Sequence, residues 1–334
     1  MFLSKARVTL IVRFSRSRVS DRKMYSISQI WRGLKWSLES PNILIRELNR
    51  NYYRLMNGSG YNHEGINVFD QDWDTLVILD ACRFDMFEDL NTLPGELECR
   101  ISRGSHTSEF LRGNFDERSE MEVVYTTASP QLQRYRDEID VQLHGVKNVW
   151  NTERWDTEEG TVLPEDMTQA AIEAHNKHPN KRHIVHYMQP HYPFIDSDID
   201  DGVRGFDAKS SEGFDIWEQR VRGRLGFSPS EVWSPYVRNL EIALYSVKKL
   251  MNKITGRIVV TSDHGNMVGE RSSPLPMKEW GHPSHLHTQE LVRVPWLINE
   301  LGKRRSIKSE PVSTDQGSID ESVVADRLEQ LGYK

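Results

Sequence analysis

The chain has 334 residues, 37% of them hydrophobic and 28% charged, with a formal net charge of −6. That length buries a substantial core, as one large domain or two small ones, and the mild acidity gives no whole-chain case for binding nucleic acid. Only two cysteines occur, Cys82 and Cys99, which argues against a disulfide framework and for a reducing compartment.

Residues 1–50 are unlike the rest, with eleven Lys or Arg against three Asp or Glu, and with Trp31, Leu34 and Trp36 among them. Such a segment can lie on an anionic membrane surface. The plainer expectation is a basic arm followed by a helix packed on the domain. The apolar run Val8-Thr9-Leu10-Ile11-Val12 is too short to span a bilayer and is interrupted by Arg13, which also argues against a secretory leader. The expected location is cytoplasmic, with residues 1–50 as the candidate contact with the inner membrane face.

Residues 1–24 read as a mobile arm, and 26–37 and 42–56 as helices, with Ser40-Pro41 as break and start. Asn57-Gly58-Ser59-Gly60 is a loop. The main domain begins near Asp70, which divides the chain into an extension (1–69), a central domain (70–300), and a polar linker with a last helix (301–334). Within the central domain 75–79 is a strand, 83–90 a helix, 99–102 a short strand and 107–113 a short helix. Residues 121–126 and 146–150 are strands, 164–178 a helix with proline in its first turn, and 183–188 a strand. Residues 195–230 read as a surface insertion and 232–251 as a long amphipathic helix. A strand at 256–261, a loop at 266–290 rich in Pro, His and Ser, and a strand at 292–298 follow. Residues 302–317 read as a polar mobile linker, and Ser318 with Glu321 as a capping box for a helix at 319–331. This alternation predicts an α/β fold with a mostly parallel central sheet and helices on both faces.

Polar residues gather where these strands end. The first strand ends in Asp80, with Arg83 and Asp85 in the next turn as an expected local ion pair. The strand at 256–261 ends in Ser262-Asp263-His264-Gly265, where adjacent Asp and His can both reach one ion while Gly265 lets the chain turn. Open α/β sheets bind ligands at such ends, and these oxygen and nitrogen donors suit Zn²⁺, Mn²⁺ or Mg²⁺. Ser102-Arg103-Gly104-Ser105-His106-Thr107 is a hydroxyl-rich loop before a helix, where free N–H groups and the dipole stabilise an oxyanion; from this segment alone plain N-capping is the better account. Pro190-His191-Tyr192-Pro193 carries His191 away from a strand end, and Trp280-Gly281-His282 carries a second loop histidine. His175 and His178, on a helix, are expected to be exposed.

The order Leu79-Asp80-x-x-Arg83-x-Asp85, a hydroxyl loop, Pro190-His191-x-Pro193, Asp263-His264-Gly265, and a His before Arg293-Val294-Pro295 resembles the alkaline phosphatase superfamily, in its sulfatase-like branch. The resemblance covers residues 70–298. It implies a divalent metal (Mn, Zn, Mg or Ca), a covalently modified nucleophile, and hydrolysis or transfer of a phosphoryl or sulfuryl group from an anionic ester, glycan-borne or lipid-linked. It carries metal ligation onto Asp80, Asp263 and His264, with the nucleophile hydroxyl as a further ligand. His191 and His282 match positions that bind substrate, leaving group or a second metal, and Arg103 is a candidate for neutralising charge on the transferred group. Spacing from Gly104 makes Thr107 the nucleophile. Alignment on Ser108-Glu109-Phe110 with lipoteichoic-acid-synthase-like members makes it Ser105; we prefer Thr107. The formylglycine signature, Cys or Ser followed by x-Pro-x-x-Arg, is absent, which favours a phosphoester over a sulfate ester.

Overall fold

Thr75–Leu79 (β1) is a five-residue run with every side chain buried, the pattern of a strand covered on both faces. In the structure, a computed structural model that describes residues 41–58, 60–197, 216–310 and 319–333, it lies at the centre of a seven-stranded sheet. The order is β2-β11-β8-β1-β7-β3-β4, with β2 at Glu96–Ile101, β3 at Arg118–Thr127, β4 at Val141–Asn148, β7 at Arg182–Tyr187, β8 at Gly256–Thr261 and β11 at Arg293–Leu301. Two small antiparallel pairs stand apart, β5 (Trp155–Asp156) with β6 (Thr161–Val162), and β9 (Met267–Arg271) with β10 (Lys278–Gly281). Strands β8, β1, β7, β3 and β4 are parallel, while β11 is antiparallel to both β8 and β2. The carboxyl ends of β1, β7, β8 and β2 therefore share one edge of the sheet.

Side chains alternate along β1, so Val77 and Leu79 enter one core and Leu76 and Ile78 the other. The helices are α1 (Pro41–Asn57), α2 (Phe84–Leu90), α3 (Thr107–Phe115), α4 (Gln131–Arg134), α5 (Pro164–Lys177), α6 (Ile216–Val221), α7 (Pro229–Met251), α8 (Gln289–Val292) and α9 (Glu321–Gln330). Met86 and Phe87 of α2, Ala170 and Ala171 of α5, and Leu240 and Leu244 of α7 close the first core. Phe110, Leu111 and Phe115 of α3 close the second. Helices thus cover both faces, and the chain is an α/β fold with a mostly parallel sheet.

Several local expectations are corrected. The loop expected at 266–290 contains the β9–β10 hairpin and α8, because Met267, Val268, Met277 and Trp280 are apolar enough to be buried. The insertion expected at 195–230 is not all surface: Ile216, Trp217 and Val221 of α6 are buried in the first core, and 198–215 lie outside the described residues. Within 302–310 the chain is irregular but fastened, with the Lys308 N–H donating to the Asn180 carbonyl at 2.9 Å and Arg304 pairing with Asp72 at 2.7 Å. Asp320 caps α9 by accepting from the Ser322 N–H; Ser318, like the arm at 1–24 and the helix at 26–37, lies outside the described residues.

His175 is buried, not exposed. Its Nε2 lies 3.0 Å from Thr75 Oγ1, its Nδ1 donates to the Ala171 carbonyl at 2.9 Å, and its ring stacks on His183 at 3.8 Å. Burial pushes its pKa down to about 4 and holds His183 well below its ordinary value. Unfolded histidine titrates near 6.5, so from there down to about 4 the unfolded chain binds protons that the folded chain refuses. Stability is expected to fall with pH through that window, by roughly 1.4 kcal/mol per pH unit for each such group. Urea midpoints measured across it check this, with a shallower slope expected for His175→Gln; equal slopes in the two proteins contradict the assignment.

Candidate active site

Asp80 follows β1 directly, and the next residue, Ala81, is held at φ +58, a conformation that costs a non-glycine residue of order 1 kcal/mol. The turn is fixed from across the sheet. The Ala81 N–H donates to Asp263 Oδ1 at 3.1 Å, its carbonyl accepts from the Tyr236 hydroxyl, and the Cys82 N–H donates to Ser262 Oγ at 2.9 Å. Ser262 Oγ in turn donates to the Leu79 carbonyl at 2.6 Å, so the ends of β1 and β8 are clamped together. Arg83 pairs with Asp85 at 2.6 Å, as the sequence suggests, and also with Glu270. At Gly265 any Cβ would lie 2.0 Å from the Glu290 carbonyl oxygen, so glycine is required where the chain leaves the site.

Asp80, Asp263 and His264 come together with ligand atoms all within 4.8 Å of one another. His264 Nδ1 donates to the Gly265 carbonyl at 2.8 Å, which turns Nε2 toward the cluster. Nε2 faces Thr107 Oγ1 at 3.2 Å, Asp263 Oδ2 at 3.3 Å and Asp80 Oδ1 at 3.6 Å. Thr107 opens α3, and its hydroxyl is also 3.5 Å from Asp80 Oδ2. All four residues are fully or almost fully buried. Asp80 Oδ1 and Asp263 Oδ2 nevertheless make no hydrogen bond among the described residues. Two adjacent buried carboxylates with unsatisfied oxygens are costly unless a cation neutralises them. The donor set of two carboxylates, one imidazole nitrogen and one hydroxyl therefore fits a divalent ion. As they stand the carboxylates split: burial and then the Asp263 charge raise the Asp80 pKa well above its ordinary value. Asp263 is held below its own against burial, first by His264 and His186.

A second layer surrounds this cluster. His191 Nδ1 bonds to the Tyr192 carbonyl, and its Nε2 meets His282 Nε2 at 2.8 Å. His282 stacks on His264 with ring centroids 4.6 Å apart. Burial pushes His191 down to about 4 and His106 to about 3, and it holds His282 well below the ordinary value. These imidazoles are neutral at neutral pH.

Sequence reasoning missed four contributors. His186, one residue before the end of β7, has Nε2 3.4 Å from Asp80 Oδ2, while its Nδ1 meets the Tyr125 hydroxyl at 2.7 Å. His106 caps α3 by accepting from the Ser108 N–H at 3.1 Å. Glu109 is buried and gathers Ser105 Oγ at 2.9 Å, His285 Nδ1 at 3.0 Å and His287 Nε2 at 3.4 Å. Tyr333, just beyond α9, has its hydroxyl 3.4 Å from Thr107 Oγ1 and its ring stacked on His191 at 5.0 Å. Of these, His106 and Glu109 lie inside the hydroxyl loop and the Ser108-Glu109-Phe110 alignment without being given a role there, His186 lies near the end of a strand, and no local pattern marks Tyr333.

Two expected site residues are placed elsewhere. Ser105 Oγ donates to Glu109 and accepts from the Leu286 N–H at 3.3 Å, so it joins α3 to the 282–288 loop. Arg103 donates to the carbonyls of Gly65 at 3.2 Å and Gly113 at 2.5 Å and lies over the Tyr61 ring. That spends its guanidinium on holding the 60–66 segment to α3.

A family model described as Sulfatase matches residues 108–320, more than half of the chain. The chain belongs to the sulfatase family, in the sulfatase-like branch of the alkaline phosphatase superfamily. Asp80, Ser105 and Thr107 precede the matched range. Among solved structures it is similar to the zinc complex of the C-terminal periplasmic domain of EcEptC from Escherichia coli, at 14% identity over 68% of this chain and 72% of that one, with a TM-score of 0.44. It is similar also to the integral membrane lipooligosaccharide phosphoethanolamine transferase EptA from Neisseria meningitidis, at 13% identity over 67% and 47%, TM-score 0.43. A third is the putative sulfatase yidJ from Bacteroides fragilis, at 19% identity over 44% and 33%, TM-score 0.22. No curated protein matches the chain.

Proposed function

We propose that this protein is a divalent-metal-dependent hydrolase or transferase of phosphate esters, with Thr107 as its nucleophile. The observation that carries this reading is the Thr107 hydroxyl at a helix N-terminus, 3.2 Å from His264 Nε2 and beside two buried carboxylates with unpartnered oxygens. Asp80, Asp263, His264 and Thr107 would hold the ion. When bound, a divalent cation supplies Lewis acidity that makes a threonine alkoxide available near neutral pH.

The chain's own residues account for the rest. Asp80 Oδ2 and His264 Nε2 fix the hydroxyl's direction, and the start of α3 favours negative charge on the oxygen. In-line attack joins Thr107 Oγ1 to phosphorus and breaks the bond to the leaving oxygen. Water or an acceptor alcohol then attacks the phosphorus and frees the threonine. His191, whose Nδ1–H is given to the Tyr192 carbonyl, accepts at Nε2 from His282, and when that bond opens the His282 Nε2–H is free to donate to a substrate oxygen. A phosphoester fits better than a sulfate ester: no cysteine stands at the nucleophile position, and burial raises the Cys82 thiol well above its ordinary pKa, which leaves it inert.

The test is turnover of aryl phosphate monoesters, phosphate diesters and sulfates with Mn²⁺, Zn²⁺, Mg²⁺ or Ca²⁺ supplied in turn. Phosphoester turnover that a chelator removes and Asp80→Ala lacks is the expected result. Turnover indifferent to chelator, or wild-type rates in Asp80→Ala, sinks the assignment; preference for sulfates moves it to a sulfate-ester hydrolase.

A further inference from the structure

One helix holds most of the large apolar surface that the described residues leave in solvent. Seven large hydrophobic side chains are exposed among them, and five of these lie on α1: Leu44, Leu48, Tyr52, Leu55 and Met56. Leu55 is 85% exposed and Met56 66%. Steps of three and four residues put the five on one face. A sixth, Leu275, lies in the β9–β10 turn, where its N–H and its carbonyl are both bonded to the Asn49 side chain at 2.8 Å. These bonds hold the turn to the domain-facing side of α1.

The other face of α1 holds to the domain through both apolar and polar side chains: Ile43 and Ile45 pack on the first core, and Tyr53 packs on the cluster of Met267, Leu286, Leu291 and Val292. Arg46 forms a buried pair with Glu279, Asn49 donates to Ser272 Oγ at 3.0 Å, and Arg50 donates to the Ser284 carbonyl at 2.8 Å. Beyond the residues that hold it to the domain, α1 thus turns a second apolar face to solvent, where a surface helix ordinarily carries polar residues. A contiguous exposed patch of this kind marks an interaction site.

Charge selects the occupant. Residues 1–40, which precede α1 in sequence, carry nine Lys or Arg against Asp21 and Glu39, in a chain whose net charge is −6. An anionic bilayer satisfies both features: the acyl boundary takes the leucines and the headgroups take the basic residues. Helix α1 also borders the candidate active site, because Arg46 and Arg50 line a cleft of about 270 Å³ together with His106, His282 and Tyr333. We propose that the outer face of α1 docks on an anionic lipid surface and presents this cleft to ester groups carried there. The docking stands without the phosphoester reading; only the nature of the substrate rests on it.

The test is co-sedimentation of the full chain with vesicles of phosphatidylglycerol and phosphatidylcholine, beside vesicles of phosphatidylcholine alone. Binding to the anionic vesicles, weakened by salt, is expected. Leu48→Glu/Leu55→Glu should weaken it about tenfold or more, since each leucine loses its burial and gains a repelled charge. Tyr245→Glu, at an exposed site on α7, should bind as wild type does. Turnover of a water-soluble aryl phosphate by the Leu48→Glu/Leu55→Glu protein is expected to stay at the wild-type rate, so a failure of the chemistry is seen separately from a failure of docking. Equal vesicle binding by wild type and the double variant overturns the proposal, as does absence of binding to either vesicle. A dimer in solution that the same variant dissociates, without vesicle binding, also overturns it and assigns the face to a second copy of the chain.

Discussion

Thr107→Ala is expected to cut ester turnover by about 10⁴-fold or more, the scale on which removing an attacking oxygen acts, while the protein stays folded. The threonine methyl and hydroxyl are buried at the first position of α3, and the hydroxyl's neighbours are Asp80, His264 and Tyr333. Alanine keeps the helix start, because the cap is supplied by His106. Ser105→Ala should do the reverse. It removes a hydroxyl bonded to Glu109 and to the 282–288 loop, so it should lower stability by roughly 1–3 kcal/mol and leave the rate within a few-fold. Steady-state rates and urea melts of the two variants separate the candidates. A fast Thr107→Ala protein with a dead, well-folded Ser105→Ala protein would reverse the assignment.

Opening of the site to a thiol reagent in Tyr333→Ala is the second large effect expected. Asp80, Thr107, Asp263 and His264 are sealed from solvent, and the neighbouring cleft is lined by His106, His282 and Tyr333 rather than by them. The Tyr333 ring lines the cleft and its hydroxyl reaches Thr107, with the ring edge-on to His106 at 5.5 Å and stacked on His191. Burial, and after it the Asp80 charge, hold its phenol well above the ordinary pKa, so it remains a neutral aromatic plug. Alkylation of a cysteine introduced by Thr107→Cys, read peptide by peptide against Cys82 and Cys99, is expected to be slow. It should rise about tenfold or more when Tyr333→Ala is added, since labelling of a sealed group follows the population of the open state. Tyr333→Phe keeps the ring and should label slowly. Equal rates in all three proteins would show that Tyr333 does not close the site.

Much of the site was legible because its residues sit where a local pattern stops. Asp80, Asp263 and His264 each follow an apolar strand, and in parallel strands every such end falls on one edge of the sheet. His191 and His282 were legible from the resemblance rather than from any periodicity. Arg103 was misplaced because a basic residue beside a hydroxyl loop looks the same whether its guanidinium meets an anion or two backbone carbonyls. His175 was misplaced for a similar reason: at helical spacing, a histidine under the sheet and one in water carry the same letter.

By itself the sequence determined the α/β class, the strand ends that carry the chemistry and the absence of a formylglycine signature. These depend on residue order within a few positions, where side-chain alternation and chain reversal act. Only the tertiary structure decided between Thr107 and Ser105 as the hydroxyl facing the carboxylates. It also brought Tyr333 from beyond α9 onto Thr107, joined Glu109 to His285 and His287, and left the leucines of α1 in solvent. Those outcomes depend on which elements pack against which, and burial and long-range contact are set by the whole fold rather than by any local run of residues.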